Sequence, residues 1–310
     1  MGMAVLALPG CSGREPLLRI GTSVWPGYAF LQYAYRHGEL SRQHCKLAIL
    51  NAPSSIIRAL QTGALDGACM TLDDALTVVD SGVPLTIVGL FDASDGADQV
   101  LGQPQFASLQ DLKGRRIGVE EGALGAVVLA AALQAAGMQA ADIRKVNLPL
   151  DQQLAAFRAG SIDAVVSFEP VVSELLAAGA RTLFSSTQMP GLIVDVLALR
   201  SDRIALFPRA LAAVLAAHFR HLPQLGQPTG EVMADIARQM GVTPAEAPAL
   251  FRGIRMLDLP ENQRRLAAPA QGMIDLCQRL AALMQQAGLL PGGYVAYPAF
   301  SAAYLPEPAP

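Results

Sequence analysis

The groups that could carry chemistry in this chain are few, and the catalytic ones do not assemble. There are three lysines, Lys46, Lys113 and Lys145, and four histidines, His37, His44, His218 and His221. Each lysine precedes a run that reads as a strand, away from the tips where a ligand would sit, so none suits a Schiff base. No histidine pairs with a serine or cysteine in a triad pattern, and Gly-x-Ser-x-Gly does not occur. Cys11, Cys45, Cys69 and Cys277 have no zinc spacing. Cys69 lies in an apolar run, where cysteine packs as a small hydrophobe. No metal, no cofactor and no catalytic set is expected.

What remains is binding chemistry. Trp25, the one tryptophan, and Tyr28 follow the first strand-like run and can stack on a ligand. Ser23, Asn51, Ser54 and Thr71 bring hydroxyl or amide groups to run ends or helix starts. Each serves equally as a cap or as a ligand contact. Gly122, Ala123, Leu124 and Gly125 open a helical pattern, whose free amides can hold an anion or simply turn the chain. Asp73, Glu120, Phe168, Glu169 and Asp195 complete the set, with Asp195 open between hinge and ligand contact.

These groups are positioned by a phrase that occurs twice. GSIDAVVSFEP (160–170) follows a helical pattern, as does GALDGACMT (63–71). In each a glycine ends the helix and a short apolar run suits a strand buried on both faces. Asp66 and Asp163 are 97 positions apart, and so are the Arg-Ile-Gly phrases at Arg19 and Arg116. One shared offset predicts a duplicated βαβαβ unit, too long a period for a solenoid. Strands are expected at Leu17–Ser23, Lys46–Leu50, Gly67–Met70, Leu85–Phe91, Ala97–Leu101, Arg116–Val119, Lys145–Leu148, Ala164–Ser167, Thr182–Phe184 and Val194–Leu199. From Pro208 the pattern is mostly helical, and the Pro-rich tail from Pro291 is expected to pack on the surface.

The sequence has 310 residues, enough for about two domains. A net charge of −3 gives no footprint for nucleic acid or for a polybasic membrane patch. Met3–Gly10 is a short apolar run before Cys11 and resembles the lipobox of a bacterial lipoprotein, with residues 1–16 as leader. The basic segment of such a leader is missing, so the true start is expected upstream.

Parallel strands joined by helices bind ligands beyond their carboxyl ends. Two such units facing each other make a clamp. The chain resembles a type II periplasmic solute-binding protein of an ABC importer, in the nitrate/sulfonate/taurine and thiamine-precursor binding group. The matching phrases are WPGY (25–28), GALDGACMTLDDAL (63–76), GAD (96–98), SLQDLKGRRIGVEEGALG (108–125) and AAFRAGSIDAVVSFEP (155–170). The resemblance implies a two-lobed α/β fold, with one lobe over 17–100 and 197–310, the other over 101–196, and crossings near Val100 and Val196. It implies capture of a small solute, a membrane permease as partner, a monomer, and a place in the periplasm or on the outer face of the membrane, anchored through Cys11. Phe168 and Glu169 match the family's Trp-Glu-Pro and so gain weight as ligand contacts.

Sulfonate- and nitrate-holding relatives place serine or threonine where this chain has Ala123 and Leu124. Several carboxylates are expected near the cleft, and an unpaired carboxylate facing an anion is costly. An amine or nitrogen heterocycle fits better than a simple oxyanion. The same fold also serves thiamine-pyrimidine synthases and ligand-sensing regulators. Neither the lysines nor a helix-turn-helix supports those alternatives.

Overall fold

The computed structural model describes residues 15–50, 52–120, 122–227, 229–291 and 295–307. Cys11 and Asn51 lie outside the described residues. Strands β1 (Leu18–Thr22), β2 (Cys45–Ile49), β3 (Gly67–Thr71), β4 (Leu85–Ser94) and β5 (Gln99–Gly102) alternate with helices α1 (Ala29–Arg36), α2 (Pro53–Gln61) and α3 (Leu72–Asp80). The pattern repeats as β6 (Arg116–Val119), β7 (Arg144–Asn147), β8 (Ala164–Ser167), β9 (Arg181–Ser185) and β10 (Val194–Arg200), with α4 (Ala123–Ala135), α5 (Leu150–Arg158) and α6 (Val171–Ala177). The rest of the chain adds α7 (Pro208–His221), α8 (Glu231–Met240), β11 (Ile254–Met256), α9 (Leu259–Leu266), α10 (Gln271–Gln286) and β12 (Ala299–Phe300).

Two sheets result, and the fold is two-lobed. The first runs β11-β4-β10-β3-β1-β2 with β12 beside β4, and the second runs β7-β6-β8-β5-β9. In both, the first three strands of a unit are parallel and a reversed strand follows. The reversed strand is exchanged: β5 of the first unit inserts into the second sheet, and β10 of the second unit into the first. Val100 is therefore a strand residue of the second sheet and Val196 of the first. The links between the two sheets run through 95–98 and 186–193, a few residues before Val100 and Val196. In the tail, Ala299 and Phe300 pair with Thr86 and Ile87 of β4 and stay partly exposed.

The repeated phrases meet as a repeated ion pair. Arg19 donates from Nε to Asp66 at 2.8 Å and from a terminal nitrogen to the Gly63 carbonyl at 3.0 Å. Arg116 does the same to Asp163 at 3.0 Å and to the Gly160 carbonyl at 2.9 Å. Each pair is two-pronged, so it fixes the helix end, the turn and the parallel strand in one register. Asp66 is fully buried and holds Arg203 as well, whereas the Asp163 side chain is 18% exposed.

The crossings are laced together. The Ser186 hydroxyl meets Ser94 Oγ at 2.7 Å and accepts from the Gly96 N–H at 2.6 Å. The Gly253 carbonyl accepts from the N–H groups of Asp95 and Ala97. Gly253 has φ +71°, and a Cβ there would lie 2.6 Å from Ala97 N, so only glycine fits this approach. Behind the crossings, α3, α4 and α10 share one apolar cluster that includes Leu76, Val127 and Leu280.

Candidate functional site

A cavity lies between the sheets, at the carboxyl ends of β1, β3, β6 and β8. Each lobe supplies one wall. Ser23, Trp25 and Tyr28 follow β1, Cys69 to Thr71 end β3, and Asp74 opens α3. Across from them stand Glu120, Gly122, Leu124, Gly125 and Val128, with Val166 and Phe168 from the end of β8. Asp98 enters from the first crossing and Asp195 from the start of β10. This placement follows from the topology, because both sets of parallel strands point their carboxyl ends at the gap.

Aromatic rings close the gap. Trp25 and Phe168 meet edge to face, with centroids 6.0 Å apart. Pro26–Tyr28 forms a short 3-10 turn after β1, which points Trp25 back over the sheet end. Trp25 Nε1 donates to the Asp92 carboxylate at 3.2 Å. Gly27 makes room for that carboxylate, since a Cβ there would fall 1.8 Å from Asp92 Oδ2. The Tyr28 hydroxyl donates to Asp195.

The electrostatics are one-sided. Asp74, Asp98, Glu120 and Asp195 line the cavity, and no lysine, arginine or histidine does among the described residues. Asp195 and Asp92 sit opposite each other on β10 and β4. Burial, and then the neighbouring Asp92 charge, hold the Asp195 carboxyl far above the usual carboxylate range. Burial raises Asp98 to about 6. Burial and then the nearby Asp74 charge raise Glu120 to about 7. Asp74 is raised by burial as well. Asp98 Oδ2 and Asp74 Oδ1 are buried without a hydrogen-bond partner among the described residues. Such groups are expensive unless something fills the space beside them. The Cys69 thiol is pushed up by burial and lines the floor as a protonated, apolar group.

Of the residues singled out from sequence, Ser23, Trp25, Tyr28, Thr71, Gly122, Leu124, Phe168 and Asp195 line this cavity. Four others are placed elsewhere. Glu169 turns back to cap α6, accepting from the Ser173 hydroxyl at 3.0 Å and the Ser173 N–H at 3.2 Å. Asp73 is buried beside Asp74 but does not face the cavity. Ser54 is the second residue of α2, whose cap is Ala52, so it is neither lining nor cap. Ala123 is the first residue of α4, buried, and is not among the lining residues. Asp98 and Asp74 were missed as site residues. The signals were present in the Gly-Ala-Asp phrase at 96–98 and in the second acid of Asp73-Asp74.

A family model described as NMT1-like matches residues 14–223. The chain belongs to the NMT1-like family. Relatives of this NMT1-like chain include putative binding proteins of Brucella abortus, 35% identical over 79 residues. That match spans only about a quarter of each chain. The taurine-binding periplasmic protein of Escherichia coli K12 is 25% identical over 237 residues, covering 73% of this chain and 74% of that protein. The alkanesulfonate-binding protein SsuA of Xanthomonas axonopodis pv. citri, solved with MOPS bound, shares the fold. It gives TM-score 0.74 at 21% identity over 90% of this chain and 96% of its own. A desulfurization enzyme, DSZB, also shares this NMT1-like fold at TM-score 0.60 and 16% identity.

Proposed function

We propose that this chain is the solute-binding component of an ABC importer, capturing a small nitrogen-containing cation in the interlobe cleft and handing it to a membrane permease. The family and its periplasmic binding relatives support the transport role and a periplasmic place of work. Lipid anchoring through Cys11 belongs to the same reading. The choice of solute departs from the sulfonates named for the relatives. One observation carries it: four carboxylates line the cavity, no basic side chain does among the described residues, and two buried carboxylate oxygens stand unpaired. A cation between Trp25, Tyr28 and Phe168 would be held by charge-assisted hydrogen bonds and by ring faces. A sulfonate would face Asp74, Asp98 and Glu120 with no basic side chain among the described lining residues to offset them.

Among the described residues no lysine lines the cavity, and the cavity thiol is held protonated, so the residues favour capture over chemistry. Closure then works as a population shift, because a ligand touching both walls binds the closed form best. A thermal-shift screen at pH 7.5 tests the reading, with Trp25 fluorescence as a second readout. The panel is 4-aminopyridine, short aliphatic amines and diamines, taurine and ethanesulfonate. Nitrogenous cations are expected to raise the melting temperature, since ligand at 100 times Kd stabilises by about 2.7 kcal/mol. Saturable binding of ethanesulfonate, tighter than of any amine or heterocycle, would overturn it.

A further inference from the structure

The aromatic rings of the first lobe are pinned to strands that their own turn does not follow. Trp25 and Tyr28 belong to the turn after β1, and β3 and β10 stand between β1 and β4 in the sheet. Trp25 Nε1 nevertheless donates to both oxygens of Asp92, near the carboxyl end of β4, at 3.3 and 3.2 Å. The Tyr28 hydroxyl donates to Asp195, the residue that pairs with Asp92 across β10 and β4. One short turn is thus tied over the sheet end to two adjacent strands. Asp92 is fully buried and is not among the lining residues, whereas Trp25 lines the cavity. Gly27 makes the fit possible, because a Cβ there would fall 1.8 Å from Asp92 Oδ2 and 2.8 Å from Trp25 Nε1. A buried indole N–H left without an acceptor is costly, so the bond favours one orientation of the ring.

We propose that Asp92 is a positioning residue for solute capture: its carboxylate holds the Trp25 indole over the strand ends, in the orientation that meets Phe168 and walls the ligand. The consequence for binding rests on the solute-capture reading; the hold on the ring does not. Asp92 acts through Trp25, since it does not line the cavity itself. A ring fixed before the ligand arrives costs less to order on binding. Tryptophan suits this use, because it offers a large rigid face with only two side-chain torsions to fix. Phe168 stands on the other lobe, edge to face with Trp25 at 6.0 Å, so the same orientation also sets how the two walls meet.

Trp25 is the only tryptophan in the sequence, so its fluorescence reports on this bond in the full chain without any ligand. Acrylamide quenching and calorimetry with 4-aminopyridine are read on the native protein, Asp92→Ala, Asp92→Asn and Gly27→Ala. Asp92→Ala removes the acceptor, and Gly27→Ala keeps it but puts a methyl group where the carboxylate sits. In both, the ring is free to leave its rotamer, and the quenching constant is expected to rise about two-fold or more. Affinity for 4-aminopyridine is expected to fall about ten-fold in both. Asp92→Asn keeps an oxygen acceptor and is expected to stay near the native values in both measurements. If Asp92→Ala does not fold, Gly27→Ala carries the test. Native quenching in the variant that carries it, or native affinity for 4-aminopyridine there, would overturn the role of Asp92. So would an Asp92→Asn that behaves like Asp92→Ala. If the native protein does not bind 4-aminopyridine, the cation reading falls and quenching alone decides whether Asp92 holds the ring.

Discussion

Replacing Asp98 with asparagine should stabilise the empty protein and weaken its ligand. Asp98 stands at the first crossing, 2% exposed, with Oδ2 facing no partner. Burial raises its carboxyl from 3.8 to about 6. The sign follows from proton binding: the native state holds this proton more tightly than the unfolded chain does. Stability therefore falls as pH rises from the unfolded value towards about 6, and is flat above. At about 1.4 kcal/mol per pKa unit, the charged form costs about 3 kcal/mol at pH 8 and about half that at pH 5. An amide keeps some burial cost of its own. The net gain for Asp98→Asn is then about 2 kcal/mol at pH 8 and about 1 kcal/mol at pH 5. Binding should move the other way. A nitrogenous cation loses a charge-assisted partner, so affinity drops about ten-fold or more. Urea melts at the two pH values and calorimetry with 4-aminopyridine read both effects. Asp98→Asn that is less stable than the native protein at pH 8, with ligand affinity unchanged, would refute the reasoning and make Asp98 a structural residue.

Two further perturbations follow from the geometry. The duplicated ion pairs differ in burial, so Asp66→Asn should lose about 3 kcal/mol by urea melt and Asp163→Asn about 1 kcal/mol. Arginine hydrogen bonds hold both carboxyls below their ordinary value, against burial at Asp66, so this stability is present above about pH 4 and lost on acidification. Equal losses would show that burial does not set their worth. His218 is buried edge-on against Phe91 with both ring nitrogens unpartnered among the described residues, and burial lowers it to about 3. Its neutral form is needed, so stability is lost as pH falls below about 6.5. His218→Leu should gain about 2 kcal/mol at pH 5 relative to its effect at pH 7.5, and a pH-independent difference would remove histidine protonation as the cause.

The strands were legible where an apolar run begins just after a glycine and a carboxylate, as after Gly63–Asp66 and Gly160–Asp163. The Arg-Ile-Gly and Gly-x-x-Asp phrases carry the offset because they become the same ion pair in each unit. Val194–Leu199 was legible as a strand returning to the first unit, and β10 pairs there with β3 and β4. Which neighbours it takes within that sheet is decided by non-local pairing, which no local pattern records. The aromatic wall was readable because Trp25 and Phe168 each follow a strand end. The carboxylates were harder. Asp73 and Asp74 differ by one helical position, which turns a side chain about 100° and decides which one faces the cavity. Glu169 was ambiguous for a related reason: the carboxylate reaches back over the first turn of α6, and a cap and a ligand contact look alike in sequence.

The exchange of β5 and β10 also sets an order of assembly. The second lobe runs without interruption from β5 to β9, so its sheet is complete once residue 185 has been made. The first lobe, although it begins earlier, lacks the strand between β3 and β4 until β10 is available, and lacks its edge until β11. During vectorial synthesis the usual N-terminal-first sequence is therefore reversed for these two bodies. The first four strands must wait, with the β3 and β4 edges unpaired, while the later-encoded lobe closes. A chain stopped between residues 186 and 193 would hold one finished lobe and one open sheet, a natural substrate for a chaperone.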